Sequence, residues 1–222
     1  MLSEVFGPVF YGSCALVHDN QTEAVQSLIE LMDQGRYTAD HYRRHLADVL
    51  DALPRGATRV AFARNHDTSW FYHFGGYTPR FLAFDAVHAL CLTPEAYAGD
   101  PRTDGKYGPS PDSDPRVWGF YRRIFAARRE FPEVARGSLH LRDVETGNPM
   151  VFAARRELEG RSVFVLVSFS GREEMVSLRF VAGSAPSRLR LWDPETGQSA
   201  EASVAGVRLG PWAVRIGRPA PP

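Results

Sequence analysis

The sequence predicts two fold classes in succession, α/β over residues 1–136 and all-β over residues 137–222. Amphipathic helix patterns alternate with short strand-like runs as far as about residue 131, the mark of parallel strands joined by helical crossovers. From residue 137 onward, short β-prone runs recur between turn signals, as in an antiparallel β-sandwich. Polar clusters fall just after the strand-like runs of the first part. In parallel α/β architectures that is the carboxyl end of a strand, where ligands bind.

In the α/β part, the chain opens as though already inside a strand. Residues 22–32 (TEAVQSLIELM) place Val25, Leu28, Ile29 and Met32 on one helical face, with Thr22 as N-cap and Gly35 as stop. Residues 39–53 (ADHYRRHLADVLDAL) form a second amphipathic helix through Tyr42, Leu46, Val49, Leu50 and Leu53, broken by Pro54 and Gly56. Residues 59–63 (RVAFA) are short and β-prone. Residues 80–92 (RFLAFDAVHALCL) read as a largely buried helix, and residues 94–99 (PEAYAG) as a short strand. Residues 100–114 are a long loop rich in Gly, Pro and Asp. Residues 117–131 (VWGFYRRIFAARREF) carry Trp118, Tyr121, Ile124, Phe125 and Arg128 at helical spacing, and Pro132 ends that helix.

In the β part, strand-like runs lie at 138–144, 150–155, 162–169, 175–180, 188–192 and 207–216. Glu145-Thr146-Gly147-Asn148, Glu159-Gly160, Ser170-Gly171 and the Asp193–Gly197 stretch mark turns between them. The tail from Arg218 is rich in Pro.

Formal net charge is zero, with 26 Lys+Arg against 26 Asp+Glu. That excludes a general nucleic-acid binder and a polybasic membrane binder, both of which need a cationic surplus. Arg or Glu interrupts every apolar run, so none predicts a membrane span. Cys14 and Cys91 sit in apolar company and read as buried thiols. With no CxxC and no close Cys/His cluster, the sequence points to no metal and no cofactor. The first residues carry no basic region and no long apolar core, so the expected location is the cytoplasm.

The chemistry concentrates in residues 62–77, FARNHDTSWFYHFGGY. A strand runs into Asn65-His66-Asp67, and Trp70, Phe71, Tyr72, Phe74 and Tyr77 follow. Cleaving a glycosidic bond requires a carboxylate that meets positive charge developing at the anomeric carbon. It also requires donors that grip sugar hydroxyls, which Asn and His supply, and aromatic faces that suit the apolar faces of pyranose rings. The same triplet also suits a simple turn, and the aromatic residues also suit a core.

Residues 62–67 (FARNHD) resemble the fourth signature of the alpha-amylase family of glycoside hydrolases, family 13, a strand ending in F-x-x-N-H-D. The resemblance implies the seventh strand of a TIM barrel, with Asp67 stabilising the transition state and His66 binding substrate. Asn65, Trp70 and Tyr77 would complete the sugar contacts. His73 and Arg80 stand close behind, where they either line the sugar site or pack the following helix. Residues 92–100 (LTPEAYAGD) look like the family's eighth strand and loop, and residues 120–137 (FYRRIFAARREFPEVARG) look like the helix that follows. Residues 1–11 (MLSEVFGPVFY) look like the third signature, in which Glu4 would be the general acid. His18-Asp19-Asn20 reads either as a polar loop or as a cap before the helix at Thr22.

The implied fold is therefore about strands 5–8 of a (β/α)8 barrel followed by a C-terminal sandwich. The implied partner is an alpha-glucan oligo- or polysaccharide, cleaved or transferred with retention. A retaining enzyme also needs a nucleophile, which the family carries as Asp in a G-x-R-x-D signature. No such stretch occurs in these 222 residues. The expectation is a chain inactive by itself, completed by an N-terminal half or burying its open strand edges in an oligomer. The alternative is a non-catalytic carbohydrate-binding relative that uses the aromatic loop and the β part.

Overall fold

The computed structural model describes residues 2–5, 16–19, 22–53, 58–61, 78–94, 115–182 and 185–221. The chain falls into two compact units, Met1–Arg36 with Val49–Arg122, and Tyr37–Asp48 with Arg123–Pro222.

The first unit is built on four parallel strands: β1 (Leu2–Val5), β2 (Leu16–Asp19), β3 (Thr58–Ala61) and β4 (Thr93–Pro94). They pair in sequence order, β1-β2-β3-β4. Parallel neighbours need crossovers, and helices supply them. Helices α1 (Thr22–Asp33) and α2 (Ala39–Asp51) come between β2 and β3, and α3 (Pro79–Cys91) comes between β3 and β4. Helix α1 buries Val25, Ile29 and Met32 and leaves Leu28 half-buried, close to the predicted face. It begins at Thr22 itself, so Thr22 is its first helical residue and not the cap expected there. Helix α3 is buried from Phe81 to Cys91. The Thr78 hydroxyl caps it, accepting a hydrogen bond from Phe81 N at 3.1 Å, and Pro79 stands at the first helical position. Cys91 is a buried thiol as expected, while Cys14 lies outside the described residues. Strand β4 starts at Thr93, and the rest of the strand expected over 94–99 also lies outside them.

Helix α4 (Pro115–Glu130) matches the clearest helical pattern of the sequence. Its buried positions are Val117, Ile124 and Ala127, whereas Trp118 is 50% exposed. The helix is therefore rotated from the face read off its aromatic residues. The chain leaves it at Phe131, and Pro132 opens the short helix α5 (Pro132–Arg136). Proline at the first helical position loses no hydrogen bond, so this residue starts a helix more than it ends one.

The second unit is dominated by an antiparallel sheet of six strands in the order β12-β11-β14-β8-β7-β5. These are β5 (Ser138–His140), β7 (Val151–Leu158), β8 (Arg161–Ser168), β11 (Arg188–Trp192), β12 (Ser199–Ser203) and β14 (Val214–Pro219). Two short ladders accompany it, β6 (Val144–Glu145) with β10 (Arg179–Phe180), and β9 (Glu174–Val176) with β13 (Val207–Leu209). Alternation along β7 and β8 divides the sheet's faces. Val151, Ala153, Phe164 and Leu166 on one face join Val144, Val176, Leu178, Leu189, Leu191, Val207 and Leu209 in one apolar cluster. On the other face, the Tyr42 ring sits 6.3 Å from Phe152 and 6.5 Å from Phe169. There Arg156 donates at 2.8 Å to the carbonyl of Val134, and at 3.3 Å to that of Glu133, which also accepts from Gly137 N at 2.9 Å.

Two glycines fix the path of this unit. Glu159 and Gly160 both take positive φ, 52° and 75°, the two-residue hairpin turn whose twist matches the strands it joins. At Gly137 a Cβ would stand 2.5 Å from the carbonyl oxygens of both Glu133 and Glu157, so only glycine lets α5 run into β5.

Several predicted runs divide. The run at 207–216 is two strands, β13 and β14, because the chain turns at Pro211 and Trp212 with Ala213 N bonded to Gly210 O at 3.2 Å. The runs at 138–144 and 175–180 also split into two strands each. Strand β12 (SAEAS) went unpredicted, since it is an edge strand with mostly exposed small and polar residues and no apolar alternation.

Candidate functional site

The carboxyl ends of β1 to β4 lie along one edge of the parallel sheet, and among the described residues Glu4, His18 and Asp19 stand there. Register fixes the arrangement. Glu4 pairs with His18, His18 with Val60, and Val60 with Thr93, so these four residues form one row across the sheet. Glu4 is the penultimate residue of β1. Adjacent strands stand about 4.8 Å apart, so an acidic residue and a histidine occupy neighbouring positions at this edge.

His18 and Asp19 are the last two residues of β2. This corrects the expectation of a polar loop or a cap there, and it puts both residues in the same carboxyl-edge position as Glu4. The sequence signal was LVHD, a short β-prone run ending in two polar residues. It was too short to stand out against the helix that follows.

Asn65, His66, Asp67, Trp70, His73 and Tyr77 lie outside the described residues, after the end of β3 at Ala61. Arg80 is described. It stands in the first turn of α3 and forms an ion pair with Asp33 at the end of α1. Burial holds its guanidinium below the usual arginine range. Of the two roles open to Arg80, this geometry supports packing of the helix. Deeper along α3, the Asp85 carboxylate accepts a hydrogen bond from the Tyr121 hydroxyl of α4. Among the described residues, no group of three or more His, Cys, Asp or Glu is placed to hold a metal ion.

No protein-family model and no curated protein sequence matches the chain. Solved structures do. A noncanonic maltogenic alpha-amylase, AmyB from Thermotoga neapolitana, aligns at TM-score 0.76 and 14% identity over 99% of this chain and 54% of its own. An Anoxybacillus alpha-amylase aligns at TM-score 0.68 and 12% identity over 100% of this chain and 52% of its own. The chain has the fold of about half an alpha-amylase. The cyclic alpha-maltosyl-(1→6)-maltose hydrolase of Arthrobacter globiformis, solved with maltose, aligns at TM-score 0.67 and 17% identity over 97% of this chain and 48% of its own. The resemblance read from the signatures and the alpha-amylase likeness of the fold thus agree. The half-length match is consistent with a C-terminal portion of such a chain.

Proposed function

We propose that this chain is the later part of an alpha-amylase-type glycoside hydrolase or transglycosylase that acts on alpha-glucosidic bonds with retention. In this reading residues 1–136 are the part of a (β/α)8 barrel that holds strands 5–8, and residues 137–222 are a C-terminal β-sandwich. Glu4 is the general acid and base, protonating the leaving glycosidic oxygen and then activating water or an acceptor sugar. Asp67 stabilises the oxocarbenium-like transition state. His66 and Asn65 hydrogen-bond sugar hydroxyls, and Trp70 and Tyr77 offer aromatic faces to pyranose rings.

The observation that carries the reading is the position of Glu4 at the carboxyl end of β1, in a sheet whose third strand ends at Ala61, where the F-x-x-N-H-D stretch begins in the sequence at the next residue. The whole-length structural likeness supports the same reading. So does the maltose bound by the Arthrobacter enzyme, which makes an oligosaccharide the natural probe.

The nucleophile of a retaining pair is placed outside the 222 residues, because they contain no G-x-R-x-D. The purified chain should therefore leave a chromogenic malto-oligosaccharide intact while showing a cooperative melt. Turnover abolished by Asp67→Asn would keep the site and overturn the missing nucleophile. Turnover that survives Asp67→Asn would overturn the site itself.

A further inference from the structure

The solvent face of α2 carries two histidines that neither the core nor the sugar chemistry uses. The helix buries Tyr42, Arg43, Leu46 and Ala47. Its other side presents His41, Arg44, His45 and Asp48, all exposed. His41 and His45 stand four positions apart on one helix, so they lie on successive turns with about 5–6 Å between their Cβ atoms. Among the described residues, neither imidazole has a hydrogen-bond or ion-pair partner. The His140 ring, by contrast, has Ser138 Oγ 2.8 Å from its Nε2. Both rings of the α2 pair therefore keep their nitrogens for a ligand.

The surroundings suit a cation. The Arg44 guanidinium lies 2.6 Å from Asp40 Oδ2, which offsets its charge. Asp48 lies 2.7 Å from Arg142 and is a paired group, not a third ligand. The Tyr37 ring packs against His41 with centroids 5.4 Å apart, which narrows the orientations that His41 samples and lowers the entropy lost on binding. Imidazole nitrogens suit Zn²⁺, Cu²⁺ and Ni²⁺, whereas Mg²⁺ and Ca²⁺ take oxygen ligands. The sequence expectation of no metal rested on the lack of a close Cys/His cluster, and helical spacing supplies a pair instead.

We propose that His41 and His45 form a two-histidine site for a divalent transition ion of the zinc, copper and nickel class. Each ring gives one nitrogen, and water fills the remaining positions. The ion ties two successive turns of α2 together. The unfolded chain holds the two rings at no fixed distance, so the ion favours the folded helix and stabilises it by mass action. The site is independent of the glycosidase reading, because neither histidine belongs to the sugar site.

The test is titration of the intact, tag-free 222-residue chain with Cu²⁺, followed by calorimetry and by electron paramagnetic resonance at one equivalent. The spectrum should show coupling to two ligand nitrogens, and the melting temperature should rise with the ion. His41→Gln and His45→Gln should each weaken this site by about a hundredfold, because the second bond of a chelate is intramolecular. Each variant should also show one nitrogen fewer. His140→Gln should change neither reading. Binding of equal strength in the wild type and in both α2 variants overturns the proposal. A wild-type spectrum that keeps its nitrogen count in both variants overturns it as well. Both changes fall on exposed side chains, so the cooperative melt should survive them. If one variant loses it, the other variant and the wild-type nitrogen count decide.

Discussion

Asp40 stands in the first turn of α2 between two guanidinium groups. Arg43 Nη2 lies 2.7 Å from one carboxylate oxygen and Arg44 Nη2 lies 2.6 Å from the other. Burial alone would raise its pKa, but the hydrogen bonds and charges of Arg43 and Arg44 outweigh that and hold it below the usual aspartate range. A depressed carboxylate contributes stability above its unfolded pKa and loses it as pH falls through the folded one. Asp40→Asn should therefore destabilise the chain near neutral pH by about 0.5 kcal/mol, given the solvent screening of a partly exposed pair. The difference should shrink below about pH 4, where the unfolded aspartate takes up its proton. Urea titrations of both proteins at several pH values would show it, and a pH-independent difference would count against the ion-pair account. Gly137 makes a steric prediction. Its φ of −71° suits any residue, so the cost of Gly137→Ala comes wholly from the two carbonyl oxygens its Cβ would meet. We expect a loss of about 2–3 kcal/mol, an overpacking penalty, visible as a lower melting temperature.

Arg156 ties an element to a sheet. Its guanidinium is buried and closes the carbonyls of Glu133 and Val134. Arg156→Met keeps most of the packing and removes the side-chain donor from the Val134 carbonyl, while the Glu133 carbonyl keeps Gly137 N. The expected cost is about 2 kcal/mol, with faster amide exchange in α5 than in β8. Equal exchange in both elements would mean that the arginine does not hold the helix. The elements also mark what the sequence makes legible. Helices α1, α2 and α3 and strands β7, β8 and β11 were readable because each has a continuous apolar period or a run bounded by turn residues. Strand β12 was not, since an edge strand of Ser, Ala and Glu gains its pairing from Leu189 and Leu191 on its neighbour and not from its own burial. The face of α4 misled because Trp118 is large and apolar yet half exposed, while the small Ala127 is buried. Of the candidate site, the strand that carries Glu4 was legible from the sequence. His18 and Asp19 were not, because only strand pairing puts them beside it.

At the scale of the molecule, the central prediction is that the sugar chemistry proposed for Glu4 and Asp67 stays silent in the isolated chain. Restoring a segment that supplies a G-x-R-x-D carboxylate, in cis or as a second polypeptide, should raise turnover of a chromogenic malto-oligosaccharide from background. Asp67→Asn in the restored enzyme should remove it by about a hundredfold or more, the loss typical of a group that acts on developing charge. Restored turnover that ignores this change would send the search to another carboxylate. The order β1-β2-β3-β4 also bears on how such a protein could be recombined. Each strand's ladder partner is also its neighbour in the gene, so a crossover between two βα segments cuts only one ladder of this sheet. Exchange with a distant relative therefore asks for compatibility along one seam, where a sheet of shuffled strand order would demand it along several at once.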